Sequence, residues 1–263
     1  MKAREIREHF RSHAAWVDWN NTVDQFLHGQ ATAEVAGIAV GWMMTLSMAE
    51  QAAAAGLNLF ITHEPILCDH YRSLGRRHRR TNRDIAAKRR RLTKLGLTVL
   101  RCHDTWDRFP KIGIPDAWAK FLALRSFRRK PGSFYGRGLV TPTTARALAR
   151  RIATRTRRVG QAHVEVFNPS ARVTRVAIGT GAIAALHDML EAVKADCYVV
   201  TNDGTNAWTT ELHSADCGIP LIRVDHATAE MPGIMALADY VAGQFPSVPV
   251  RYIPYPRPYD VLT

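Results

Sequence analysis

GLTVLRCHD, residues Gly96–Asp104, recurs later in the chain as GIPLIRVDH, residues Gly218–His226. Glycine and arginine are identical in the two copies, the apolar positions are kept, and both end on a histidine beside an aspartate. Two further matches precede it in the same order. VAGIAVG (Val35–Gly41) matches VTRVAIG (Val173–Gly179), and LFITHE (Leu59–Glu64) matches CYVVTND (Cys197–Asp203), aligning Thr62 with Thr201. Three matches in one order mark an internal duplication. Each matched run is short and apolar and bounded by polar or glycine residues, as buried strands are.

Between the runs lie helical patterns: Thr45–Ala55 closed by Gly56, Arg83–Lys94 closed by Gly96, Asp116–Leu124, Ile183–Lys194 and Met235–Phe245. Strands alternating with helices predict an α/β fold. The duplication predicts two similar α/β lobes, residues 1–130 and 131–263. The join is expected near Arg128–Tyr135, where Pro131, Gly132 and Gly136 cluster.

The chain of 263 residues is 46% hydrophobic and 22% charged, which excludes a disordered or fibrous protein. The opening MKAREIREHF has no apolar core, so no signal peptide is expected. The most apolar stretch, Val35–Ala49, ends at Glu50 and is too short to span a bilayer. A cytoplasmic protein without membrane contact is expected. Cys68, Cys102, Cys197 and Cys217 show no C-x-x-C spacing and read as buried reduced thiols. The formal net charge is +13, concentrated in Arg72–Lys94, Arg125–Lys130 and Arg146–Arg158. Such runs attract an anionic partner or form solvated helix faces. Phe127 is the one Phe, Tyr or Trp within them, too few for a stacking platform, so nucleic acid is not favoured.

Polar residues gather past the carboxyl ends of the expected strands, where open α/β sheets bind ligands. They are His63 and Glu64; His103, Asp104 and Asp107; Asn202 and Asp203; Asp225, His226 and Glu230. Taken singly each has a structural reading, as a hydrogen-bonded histidine or a helix cap. Gathered at matched strand ends, imidazoles and carboxylates suit Zn, Mn, Fe, Co or Ni better than a thiolate-seeking ion. His226 and Glu230 would share a face if helical, but Pro232 and Gly233 place the helix start after Glu230. IGTGAIAAL (Ile178–Leu186) is the nearest approach to a glycine-rich phosphate loop, and Gly179 and Gly181 read better as a tight turn. Nucleotide-loop and serine-hydrolase signatures do not occur.

LFITHEPI (Leu59–Ile66), CHDTWD (Cys102–Asp107) and VDHATAEMPGIMALADYVAGQF (Val224–Phe245) together resemble the ordered motifs of the NIF-three-like (NGG-one-interacting factor three) family. That family is also labelled a GTP cyclohydrolase I type 2 homologue. VDWNNTVDQFLHGQ (Val17–Gln30) is similar to its N-terminal stretch. The resemblance implies two α/β lobes with a dinuclear metal centre in the cleft between them, and a homohexameric ring. The implied ligands are His63, Glu64, Asp107, His226 and Glu230, with Glu230 bridging and His103 in or just behind the shell. Glu64 stands where the family usually has a second histidine, and GWMMT (Gly41–Thr45) lacks the aspartate often found after the first strand.

A two-metal hydrolase acting on a nucleotide-like or phosphorylated small molecule is the expected function, with Asp104 or Asp203 as the candidate proton shuttle. The alternative is a metal-binding ring that recruits a partner or nucleic acid without catalysis.

Overall fold

The computed structural model describes residues 1–67 and 78–262. The chain divides into two compact units, one formed by Met1–Trp106 with Ile234–Thr263 and the other by Asp107–Gly233.

The first unit contributes strands β1 (Phe26–His28), β2 (Ile38–Gly41), β3 (Leu59–Thr62) and β4 (Thr98–Arg101). The second unit holds β5 (Arg125–Arg129), β6 (Gly136–Thr144), β7 (Glu165–Phe167), β8 (Arg172–Ile178), β9 (Cys197–Thr201) and β10 (Leu221–Val224). The chain then returns to the first sheet as β11 (Val250–Tyr252). The sheet orders are β1-β4-β3-β2-β11 and β5-β6-β8-β9-β10-β7.

The duplication is visible in the pairing. β2, β3 and β4 run parallel, with Ile38 beside Leu59 and Leu59 beside Thr98. β8, β9 and β10 do the same, with Val176 beside Cys197 and Tyr198 beside Leu221. An antiparallel strand closes each triad past its third member, β1 on β4 and β7 on β10. The expected strands are thus present, most of them trimmed to a buried centre, with β8 mostly exposed in its first half.

Burial explains their near-continuous apolarity, because a parallel sheet covered on both faces alternates nothing. In the second unit Val176, Ile178, Val199, Ile222 and Val224 pack with Trp118, Leu148 and Ile152. The intervening Ala177, Tyr198, Val200 and Leu221 pack with Leu186 and Met189. Successive residues of one strand therefore serve opposite cores. In the first unit Ala39, Phe60 and Val99 join Met44, Met48 and Leu92. Helix Leu46–Ala54 starts where the Thr45 hydroxyl accepts from Met48 N, and it gives way to Gly56 at φ +74°.

Three sequence expectations change. The join expected at Arg128–Tyr135 is the turn of the β5–β6 hairpin, in which Arg129 pairs with Gly136. Pro131 and Gly132 mark a turn, and a turn within one sheet has the same composition as a linker. The helix Ile114–Phe121 just before it belongs to the second core through Trp118 and Ala119. The last segment belongs to the first unit, because β11 pairs with β2 and Tyr240 bonds His9 Nε2 at 2.9 Å.

The final helix is the second change. It runs His226–Gln244 with Pro232 inside it. Gly233 lies against Ile114, whose Cδ1 would come within 2.6 Å of an added Cβ. An internal proline disfavours a helix by roughly 3 kcal/mol, and the burial of Ala229, Met231, Ile234 and Leu237 works against that cost.

The third concerns the thiols. Cys102 and Cys197 are buried as expected, Cys217 is exposed, and Cys68 lies outside the described residues. The basic run is also informative: helix Arg79–Lys94 buries Ile85 and Leu92 and turns most of its cations outward. This is the solvated-face arrangement, with Arg91 paired to exposed Glu50 at 2.9 Å. Arg72–Arg77 lie outside the described residues. Among the described residues no helix is long and apolar enough to cross a membrane.

Burial pushes the Cys197 thiol up to about 12, and the thiol form is a poor nucleophile. Alkylation of the native protein is expected to reach Cys217 well before Cys102 or Cys197, as read by peptide mass spectrometry. Equal rates at Cys197 and Cys217 would contradict the placement of β9 inside the sheet.

Candidate metal centre

In the first unit, three residues at strand ends offer ligand atoms within 4.8 Å of one another: His63 and Glu64 after β3, and His103 after β4. His63 is fully buried, and its Nδ1 lies 3.0 Å from the Cys102 carbonyl. A carbonyl only accepts, so Nδ1 carries the hydrogen and the lone pair of the neutral ring is on Nε2. His103 is fixed in the same way by Asp104, at 3.0 Å from Nδ1 to Oδ1. The two rings stack with centroids 4.6 Å apart. His103 Nε2 then faces Glu64 Oε1 at 3.8 Å.

Asp104 is itself secured by the Thr22 hydroxyl, which donates to Oδ2 at 2.7 Å. Burial opposes its charge, yet hydrogen bonds from His103 and Thr22 outweigh that and hold its carboxyl well below the ordinary carboxylate range. Beneath this pair lies a residue the motifs did not reveal. The Asp24 carboxylate accepts from the backbone N–H groups of His103 at 2.6 Å, Asp104 at 2.9 Å and Thr105 at 2.8 Å. It anchors the start of the short helix Asp104–Asp107. Its only sequence signal was membership in the loosely matched stretch Val17–Gln30.

In the second unit, His226 opens the final helix and Glu230 follows one turn later. Because the helix starts at His226, the two share a face, with Nε2 and Oε2 3.0 Å apart. Asp203, after β9, accepts from His226 Nδ1 at 2.8 Å. That hydrogen bond, more than burial opposes it, lowers the Asp203 carboxyl from its ordinary value. Asn202 accepts from the His226 backbone N–H at 2.8 Å and fixes the helix start. Asp107 and Glu230 also offer oxygens within 4.8 Å of one another. Glu230 thus stands near both His226 and Asp107.

The matched strand ends use matched devices. The Thr62 hydroxyl accepts from Met44 N at 3.3 Å, and the Thr201 hydroxyl donates to the Gly181 carbonyl. Each ties the end of a second strand to the loop after the first. Gly181 has φ +65°, and a Cβ there would lie 3.1 Å from Glu230 Oε1 and 3.2 Å from His226 Nε2. The glycine therefore serves both the turn and the space in front of the donor atoms.

This chemistry fits a divalent ion. A neutral imidazole lone pair and a carboxylate oxygen repel at 3.0 Å unless a cation, proton or metal, sits on them. Imidazole nitrogen and carboxylate oxygen together suit the borderline metals. Carboxylates behind imidazoles are the usual outer support of such sites. The sequence candidates divide accordingly. His63, Glu64, His103, Asp107, His226 and Glu230 present donors, whereas Asp104 and Asp203 each hold an imidazole from behind. Asp225 is engaged through its backbone, its N–H donating to Gln161 Oε1 at 3.1 Å.

Replacing Asp24 by alanine strips a common acceptor from three backbone N–H groups. The expected loss is about 2 kcal/mol or more, beyond the ~1 kcal/mol of an exposed cap. Urea unfolding reads it, with Asp24→Asn losing less because one oxygen stays. Wild-type stability in Asp24→Ala would contradict the anchoring role.

Comparisons with known proteins identify the family and the fold. The model of the family described as Duf34/NIF3 (NGG1p interacting factor 3) matches residues 1–258. Among solved structures, the Staphylococcus aureus hypothetical protein SA1388 is 17% identical with a TM-score of 0.82, covering 100% of this chain and 99% of that one. A Bacillus cereus protein related to NIF3 is 12% identical with a TM-score of 0.77, covering 100% and 99%. Reduced HcgD from Methanocaldococcus jannaschii is 16% identical with a TM-score of 0.71, covering 97% and 98%. At these identities the likeness concerns the fold. A search of curated proteins gives no match. With the family model spanning nearly the whole sequence, the chain belongs to the Duf34/NIF3 (NGG1p interacting factor 3) family.

Proposed function

We propose that this protein binds two divalent metal ions per chain, drawn from Zn, Mn, Fe, Co or Ni, and hydrolyses an anionic nucleotide-like or phosphorylated small molecule. The proposed ligands are His63, Glu64, Asp107, His226 and Glu230, with His103 as a further donor. The observation that carries this reading is the facing pair of His226 Nε2 and Glu230 Oε2 at 3.0 Å, fixed from behind by Asp203.

A bound ion would supply Lewis acidity and positive charge for a developing anion. The chain's own residues prepare the donors. Asp203 keeps a proton on Nδ1 of His226 and thereby aims Nε2 at Glu230. Asp104 does the same for His103, and the Cys102 carbonyl does it for His63. Glu230, near both Asp107 and His226, is the residue suited to bridge. Asp104 and Asp203 then act as positioning residues, since each holds its carboxylate on an imidazole N–H. The net charge of +13 supports an anionic substrate. The homohexamer implied by the family resemblance belongs to the same proposal, and a sedimentation mass of a single chain would contradict it.

A panel of nucleotides and phosphate monoesters, offered to metal-loaded protein, tests the reading. Turnover is expected in wild type and is expected to be abolished in His226→Ala of unchanged fold. Asp203→Ala is expected to lose about 10–100-fold in metal affinity, the usual effect of removing a supporting carboxylate. Absence of turnover, together with nucleic-acid binding that falls steeply with salt and survives His226→Ala, would favour the non-catalytic ring.

A further inference from the structure

Arg101 is the last residue of β4, and it is only 2% exposed. Its Nε donates to the His63 carbonyl at 2.8 Å. Its Nη2 donates to Glu64 Oε2 at 3.1 Å. One buried guanidinium therefore holds both the peptide before Glu64 and one oxygen of its carboxylate. The other oxygen, Oε1, is the one on the His103 side, 3.8 Å from Nε2.

The duplication does not require this arrangement. The matched arginine of the second unit, Arg223, pairs with Glu211 at 2.6 Å and with Glu165. Asp203, the residue matched to Glu64, holds His226 instead. The contact between arginine and ligand carboxylate is thus particular to the first group.

Its consequence is electrostatic. The guanidinium cancels the Glu64 charge and occupies one of its two oxygens. By themselves, His63, Glu64 and His103 then bring two neutral imidazoles and one carboxylate oxygen with no net charge, so any anionic charge on a divalent ion must come from outside this group. Hard ions bind through carboxylate charge and oxygen number, whereas Zn, Co and Ni bind well to imidazole.

Resting on the metal-binding reading above, we propose that Arg101 is a positioning residue that sets metal preference. It holds Glu64 to ligation through one oxygen and neutralises it, so that the first unit's group takes an imidazole-preferring ion and discriminates against Mn.

The test is the affinity of the full chain for Zn and for Mn, by calorimetry and by electron paramagnetic resonance of unbound Mn. Wild type is compared with Arg101→Met and Arg101→Lys. In Arg101→Met the Mn affinity is expected to rise about tenfold or more, because a buried positive charge near the ion is gone. Zn is expected to change less, and Arg101→Lys, which keeps the charge, to restore the wild-type ratio. A purely structural role would weaken both ions alike, so unchanged or reduced Mn affinity in Arg101→Met overturns the proposal. Should Arg101→Met fail to fold, Arg101→Gln keeps an N–H donor while dropping the charge and carries the same expectation. Wild type that binds neither ion overturns the metal-binding reading itself, and this proposal with it. Metal binding with an unmoved Zn-to-Mn ratio overturns this proposal alone.

Discussion

An imidazole whose Nδ1 hydrogen is claimed by an acceptor has its remaining lone pair on Nε2, and the structure imposes that constraint on each of the three candidate donor imidazoles. The Cys102 carbonyl claims His63, Asp104 claims His103, and Asp203 claims His226. Each ring is thereby aimed as well as fixed in tautomer. His226 Nε2 meets a carboxylate oxygen of Glu230 at 3.0 Å, and His103 Nε2 meets Glu64 at 3.8 Å. Two electron-rich atoms held face to face favour a cation, proton or metal, between them. The surrounding bonds of Asp24, Thr22, Asn202 and Thr201 are the means by which the fold maintains that opposition.

Parallel strands make such a site natural. Their carboxyl ends expose loop residues, while the strands themselves are locked by buried apolar side chains on both faces. The duplication supplies two such ends. The conserved device is a threonine hydroxyl, from Thr62 or Thr201, tying the second strand to the loop after the first. The divergent device is the arginine of the third strand, which secures a donor carboxylate in one copy and outlying carboxylates in the other.

Much of this was legible in the sequence, for definite reasons. The strand triads showed because parallel, doubly covered strands are uninterrupted apolar runs. His63, Glu64, His103, Asp107, His226 and Glu230 could be proposed as donors because they follow those runs. The start of the final helix did not show: Pro232 and Gly233 signal a boundary, and only the packing of Gly233 on Ile114 reveals that the helix continues through them. Asp24 was illegible because its three partners lie about eighty residues away. The unit boundary was misplaced because the Pro131-Gly132 turn of a hairpin has the composition of a linker, and because the pairing of β11 with β2 leaves no local mark. The role of Arg101 lay hidden in a buried strand position where a charge is least expected.

Whether these donors hold metal decides what the two groups are for. The most direct measurement is elemental mass spectrometry of untagged protein, wild type against Glu230→Ala, after exposure to Mn, Fe, Co, Ni and Zn. About two ions per wild-type chain, with marked loss in Glu230→Ala, is the result predicted for a carboxylate shared by two ions. No bound metal in wild type under any of these conditions would contradict it.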